Sequence, residues 1–107
     1  MKKTNCIFKY TLNVQEEIQK LKLPYGAEVL KVGLQHGELR IWVMFERHED
    51  PALAGMVQER EFLVCGTGWN FDTPHAKVLN YLGSTVGDFV WHVFECVDEE
   101  NFTDTED

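Results

Sequence analysis

The sequence predicts a mainly β domain, an antiparallel sandwich or barrel-like body of six to seven short strands with at most one short helix. Three observations carry this reading. Short segments alternate apolar and polar residues along most of the chain, clusters containing Gly, Asn or Pro separate them, and helical spacing recurs only briefly. At 107 residues, with 44% hydrophobic and 26% charged residues, the chain fits one soluble domain with one core.

Residues 5–12 open the series, with Ile7 and Lys9 on one face and Phe8, Tyr10 and Leu12 on the other, apolar one. Residues 13–23 carry two signals. Val14, Ile18 and Leu21 recur at helical spacing with Asn13 as a cap, while Gln19, Leu21 and Leu23 alternate as in a strand. Pro24 imposes extended geometry on Leu23, which favours a turn followed by a strand.

Pro24-Tyr25-Gly26 makes a turn, and residues 27–35 form a strand with Leu30, Val32 and Leu34 inward. His36-Gly37 then joins it to residues 38–47, because glycine supplies positive φ without steric cost. In that second strand Leu39, Ile41, Val43 and Phe45 face the core. Arg40, Trp42 and Met44 share the other face with Glu38 and Glu46, a surface too apolar at its centre for ordinary solvent contact.

Asp50-Pro51 breaks the pattern, and residues 48–57 read as a loop with one helical turn. Residues 58–66 resume as a strand, followed by a long connection from Gly66 to His75 that contains Thr67, Trp69, Asn70 and Phe71. Residues 76–82 and 88–97 complete the set. The last strand is apolar on both faces, with Val90, His92, Phe94 and Cys96 opposed to Phe89, Trp91, Val93 and Val97. Such a strand belongs in the middle of a sheet or in a subunit interface.

Charge is distributed unevenly. Seven of the 18 acidic residues lie between Glu95 and Asp107, where no base occurs, so the body holds 11 acids against 10 bases. The expected organisation is a β-rich domain over residues 1–97 and an acidic flexible tail over 98–107. The body has no basic stripe, which argues against direct nucleic-acid binding. No apolar run approaches the roughly 20 residues of a membrane-spanning helix, and no signal-peptide pattern follows Met1, so no membrane association is expected and the location is cytoplasmic.

Cys6, Cys65 and Cys96 are odd in number and widely separated, which suits reduced core thiols. No C-x-x-C pair begins a zinc site, and His36, His48, His75 and His92 are never spaced as paired metal ligands, so no metal and no cofactor are expected. The sequence carries no catalytic signature, and the expectation is a protein that is not an enzyme. Gly66-Thr67-Gly68 offers flexible backbone to an anion but lacks the Lys-Ser/Thr and helix of a phosphate loop.

Candidate ligand-binding residues are therefore aromatic rings in turns and the polar groups near them. Tyr25, Trp69 and Phe71 adjoin Gly or Asn, and rings beside a cation such as Lys31, Arg40 or Arg60 suit stacking on a nucleobase. Thr67, Asn70, His75 and His92 supply hydrogen-bonding groups; Arg40 and Trp42 join the candidates, on a face that either packs beneath a loop or second sheet or forms an oligomer interface.

The strings Phe62-Leu63-Val64-Cys65-Gly66-Thr67-Gly68, Tyr81-Leu82-Gly83-Ser84 and Phe89-Val90-Trp91-His92-Val93-Phe94-Glu95 are similar to a family of small uncharacterised proteins found in phage and bacterial genomes. The stretch from Leu23 to Leu30 and the Ile41-Trp42-Val43 strand resemble that family too. Ser84 departs from the Thr more usual there, and the acidic tail lies outside the pattern. The resemblance implies a phage origin and a helper role, with no catalytic residue or cofactor.

The functional expectation is a phage-type counter-defence protein, non-enzymatic and homo-oligomeric, that sequesters a small nucleotide-derived host signal. The alternative is an inhibitor that binds a host enzyme through the Trp42 face or the acidic tail.

Overall fold

The computed structural model describes residues 2–101 and shows seven strands in two antiparallel sheets. The strands are β1 (Thr4–Thr11), β2 (Ile18–Pro24), β3 (Glu28–Gln35), β4 (Glu38–Arg47), β5 (Val57–Gly66), β6 (Lys77–Thr85) and β7 (Trp91–Asp98). Sheet order is β1-β4-β3 in the first and β2-β5-β7-β6 in the second. A 3₁₀ turn, Glu99–Asn101, follows β7, so the first residues of the expected tail are structured; those from 102 to 107 lie outside the described residues. No helix among the described residues is long and apolar enough to cross a membrane.

The core lies between the sheets. Leu12, Leu39, Ile41 and Val43 from one side meet Leu23, Phe62, Val64 and Val93 from the other, all buried. The alternation in β4 sets this directly, because Leu39 pairs with Leu34, Ile41 with Val32 and Val43 with Val29 in the register of the β3–β4 hairpin. His36 and Gly37 take φ of 53° and 78° at its turn, the paired positive values that a two-residue hairpin requires.

Two strands depart from simple alternation. A bulge between Val29 and Lys31 adds one residue to β3, so Val29 and Val32 face the core and Leu30, expected inward, is 45% exposed. A second bulge between Tyr81 and Gly83 sends Leu82 against the core and leaves Tyr81 on the outer face. Residues 13–23 resolve as a turn and then a strand. Gln19 is buried and donates Nε2–H to the Asn13 and Glu16 carbonyls, which closes the turn that the helical reading would have extended.

β7 is interior, between β5 and β6, as its two apolar faces predict. Since β5 and β6 are both antiparallel to β7, they run parallel to each other, and the chain must return the length of the sheet to join them. Residues 67–76 form the strap that does this, a connection with turns at 67–68 and 75–76, as expected, and no regular element between them. Phe71 on the strap packs at 5.5 Å from Phe94 of β7. The outer face near it is a second apolar cluster of Leu63, Cys65 and Cys96.

All three cysteines are free, with Cys65 and Cys96 buried and Cys6 half-buried beside Arg47. Burial pushes the Cys96 thiol up to about 11 from the ordinary 9.0, with Glu61 adding to it. The folded state therefore holds a proton that the unfolded chain releases first. Stability is complete below pH 9 and declines as pH rises toward 11, by roughly 2 kcal/mol for this group. Urea unfolding at pH 8, 9.5 and 11 should follow that decline, and Cys96→Val should flatten it.

Candidate ligand-binding pocket

At one end of the sandwich two connections cross from sheet to sheet, Tyr25–Gly26–Ala27 between β2 and β3 and residues 48–56 between β4 and β5. Residues of both line a cavity of about 640 Å³. Its wall is aromatic: Phe8 and Tyr10 come from β1, Phe45 from β4 and Tyr25 from the crossing turn. Phe8 and Phe45 meet edge to face with centroids 4.8 Å apart. Burial raises the Tyr10 hydroxyl above its ordinary pKa, so the phenol stays neutral through the physiological range.

The pocket's other side is the 48–56 connection. Asp50 organises it, accepting from Ala52 N–H through its carboxylate and from Leu53 and Ala54 N–H through its carbonyl, the single helical turn expected. Gly55, at φ 81°, then reverses the chain so that Met56 O receives Tyr25 N–H. That bond ties the two crossings together. Leu53 and Met56 enlarge the apolar lining, while Arg47 and His48 add a cation and an imidazole at the β4 end. A cavity of this size and lining takes one drug-sized molecule.

Of the residues expected to bind ligand, only Tyr25 belongs to this pocket, and it is 63% exposed. Trp42 lies on the outer face of the first sheet. Lys31 Nζ stands 5.4 Å from its ring centroid, and Gly33 lies so close that a Cβ there would meet the ring at 3.2 Å. Arg40, on the same face, is paired with Glu38 at 2.6 Å. Arg60 is likewise committed, gripping Glu95 through Nε and Nη2 at 2.7 and 2.9 Å.

The remaining candidates belong to the opposite end or to the strap. Trp69 folds back over Gly66 and meets Trp91 edge to face at 5.4 Å. Asn70 and His75 are exposed on the strap. Thr67 and His92 do come together: Thr67 Oγ1 lies 2.6 Å from His92 Nε2, and Tyr81 Oη lies 2.9 Å from Nδ1. The nine expected residues are thus divided among four places.

The chain belongs to the DUF7352 family. The family, a domain of unknown function, matches residues 1–103 and so includes both ends of the sandwich. No curated protein and no solved structure matches the chain. For the DUF7352 chain the pocket residues missed by sequence reasoning are Phe8, Tyr10, Phe45 and Met56. The first three sit on inward-facing strand positions, where an aromatic ring reads as core, and nothing local in the sequence marks them as pocket lining.

A smaller cavity of about 350 Å³ lies near Lys20, Glu61, Lys77 and Asp98. Several of its charges are paired. Lys77 Nζ reaches Asp98 at 2.6 Å and Glu61 at 3.3 Å, and the Asp98 hydrogen bond raises the ammonium pKa. Among the described residues no cluster of His, Cys, Asp and Glu has metal-binding geometry.

Proposed function

We propose that this DUF7352 chain is an accessory protein of phage type that holds a small nucleotide-derived host signal without turning it over, as an oligomer in the host cytoplasm. The observation that carries the proposal is the 640 Å³ pocket, lined by four aromatic rings together with Arg47 and His48. Rings of this kind stack on a planar heterocycle, and a guanidinium pairs with a phosphate. The chain's net charge of −8 opposes long-range capture of anions, so recognition depends on this local cation and these rings.

Isothermal titration with AMP and GMP tests the reading. Micromolar binding is expected, weakened at least about tenfold by Phe45→Ala and by Arg47→Ala, with the nucleotide recovered unchanged. No heat with either nucleotide at micromolar protein would sink it.

A second reading is an inhibitor that covers a host enzyme through the Trp42 face. It draws on the uncovered outer surface of the first sheet, where Ile7 is 55% exposed and pairs with Met44 beside Trp42. Native mass spectra of protein recovered from infected cells separate the two, since a releasable small molecule supports the pocket and a bound host polypeptide supports the sheet face.

A further inference from the structure

We propose that Thr67, His92 and Tyr81 form an acyl-transfer site that hydrolyses small neutral esters, with Thr67 as nucleophile. The site goes beyond the ligand pocket and uses none of its residues. It lies at the Gly66 end of β5, whereas the pocket adjoins Val57 at the other, about 30 Å away for a strand of ten residues.

The three side chains come from different elements. Thr67 is the first residue of the strap, Tyr81 stands on β6 just before the bulge, and His92 is the second residue of β7. Their chain of contacts, hydroxyl to Nε2 at 2.6 Å and Nδ1 to phenol at 2.9 Å, is the order of nucleophile, base and orienting group. In the reactive tautomer Nδ1–H donates to Tyr81 Oη, and Nε2 accepts the Thr67 proton. Tyr81 is a positioning residue.

The turn after β5 supplies the remaining parts. Thr67 N–H donates to Val90 O and Trp69 N–H to Gly66 O, which leaves the Gly68 N–H between them as the donor for a developing oxyanion. Gly68 takes φ 88°, which glycine adopts without strain, and the side of its Cα that a Cβ would occupy is open. Phe94 lies 5.1 Å from Tyr81 and 5.5 Å from Phe71, forming an apolar floor for the ester's organic group. The net charge of −8 selects against anionic esters.

The step balances. Thr67 Oγ bonds to the carbonyl carbon as its proton passes to His92 Nε2. Collapse of the tetrahedral species breaks the bond to the leaving oxygen, which takes that proton away as an alcohol. Water, deprotonated by His92, then releases the carboxylic acid and restores Thr67.

The purified protein is mixed with p-nitrophenyl acetate and p-nitrophenyl butyrate. A burst of nitrophenol stoichiometric with protein is expected, with one acyl group located on the peptide containing Thr67. Thr67→Ala and His92→Ala should each lower turnover about a hundredfold, and Thr67→Ser should preserve it. Tyr81→Phe should lower kcat with KM unchanged. Circular dichroism verifies folding of each variant. Turnover that survives Thr67→Ala, or acyl groups found only on lysines or on imidazole, would overturn the proposal. AMP and GMP binding measured on the Thr67→Ala protein stays intact in either case, so the two sites fail separately.

Discussion

Phe62→Ala is expected to lower the unfolding free energy by about 4 kcal/mol, read as a reduced urea midpoint with an unchanged slope. Phe62 has no exposed surface and belongs to the cluster between the sheets. Its removal deletes an aromatic ring at a position bounded by strands on both sides, where β5 is hydrogen-bonded to β2 and β7 and cannot close inward without distorting two ladders. Phe71 supplies the comparison. It is 38% exposed on the strap, and Phe71→Ala should cost under about 1.5 kcal/mol. A comparable loss at both positions would mean that the strap layer, rather than the space between the sheets, supports the fold.

Glu95→Ala should cost about 3–5 kcal/mol, for a different reason. The Arg60 and Glu95 side chains are 15% and 12% exposed and make a two-bond pair, with Arg60 Nη1–H also donating to Ala27 O. Taking away the carboxylate leaves a guanidinium that is nearly out of water with one backbone partner. Replacing both members, Arg60→Met with Glu95→Leu, removes the stranded charge and should recover most of the loss. Thermal denaturation of the two single variants and the double variant decides this, and a double variant as unstable as Glu95→Ala alone would refute it.

Most of the architecture was legible in alternating residues. β4 was plain because its two faces differ, β7 because both of its faces are apolar, and the His36-Gly37 turn because two successive positive φ values need such residues. The bulges at Leu30 and Leu82 were not, since one extra residue reverses the facing of everything beyond it without leaving a mark in composition. The connection from Gly66 to His75 reads as a turn-rich loop, and turns do stand at its two ends. That it runs the length of the sheet follows only from the parallel placement of β5 and β6, a long-range fact.

The candidate sites were less legible for the same reason. Tyr25 is marked by its turn, but Phe8 and Phe45 read as core residues; that they line a pocket depends on the two crossings at that end. Nothing local joins Thr67 and His92, and Tyr81 reaches His92 only through the pairing of β6 with β7, which sets Tyr81 opposite Phe94.

The interior position of β7 bears on how the protein is made. It is the last of the seven strands to leave the ribosome, yet it separates β5 from β6, so the β5–β7 and β6–β7 ladders of the second sheet stay incomplete until Asp98 has been synthesised. Until then the nascent chain presents the open edge of β5 and an unfilled slot of one strand's width. Such an edge invites pairing with other chains. A chain truncated before Trp91 therefore lacks the inner strand of its larger sheet and should collect in aggregates, while loss of the residues after Asn101 leaves every ladder whole.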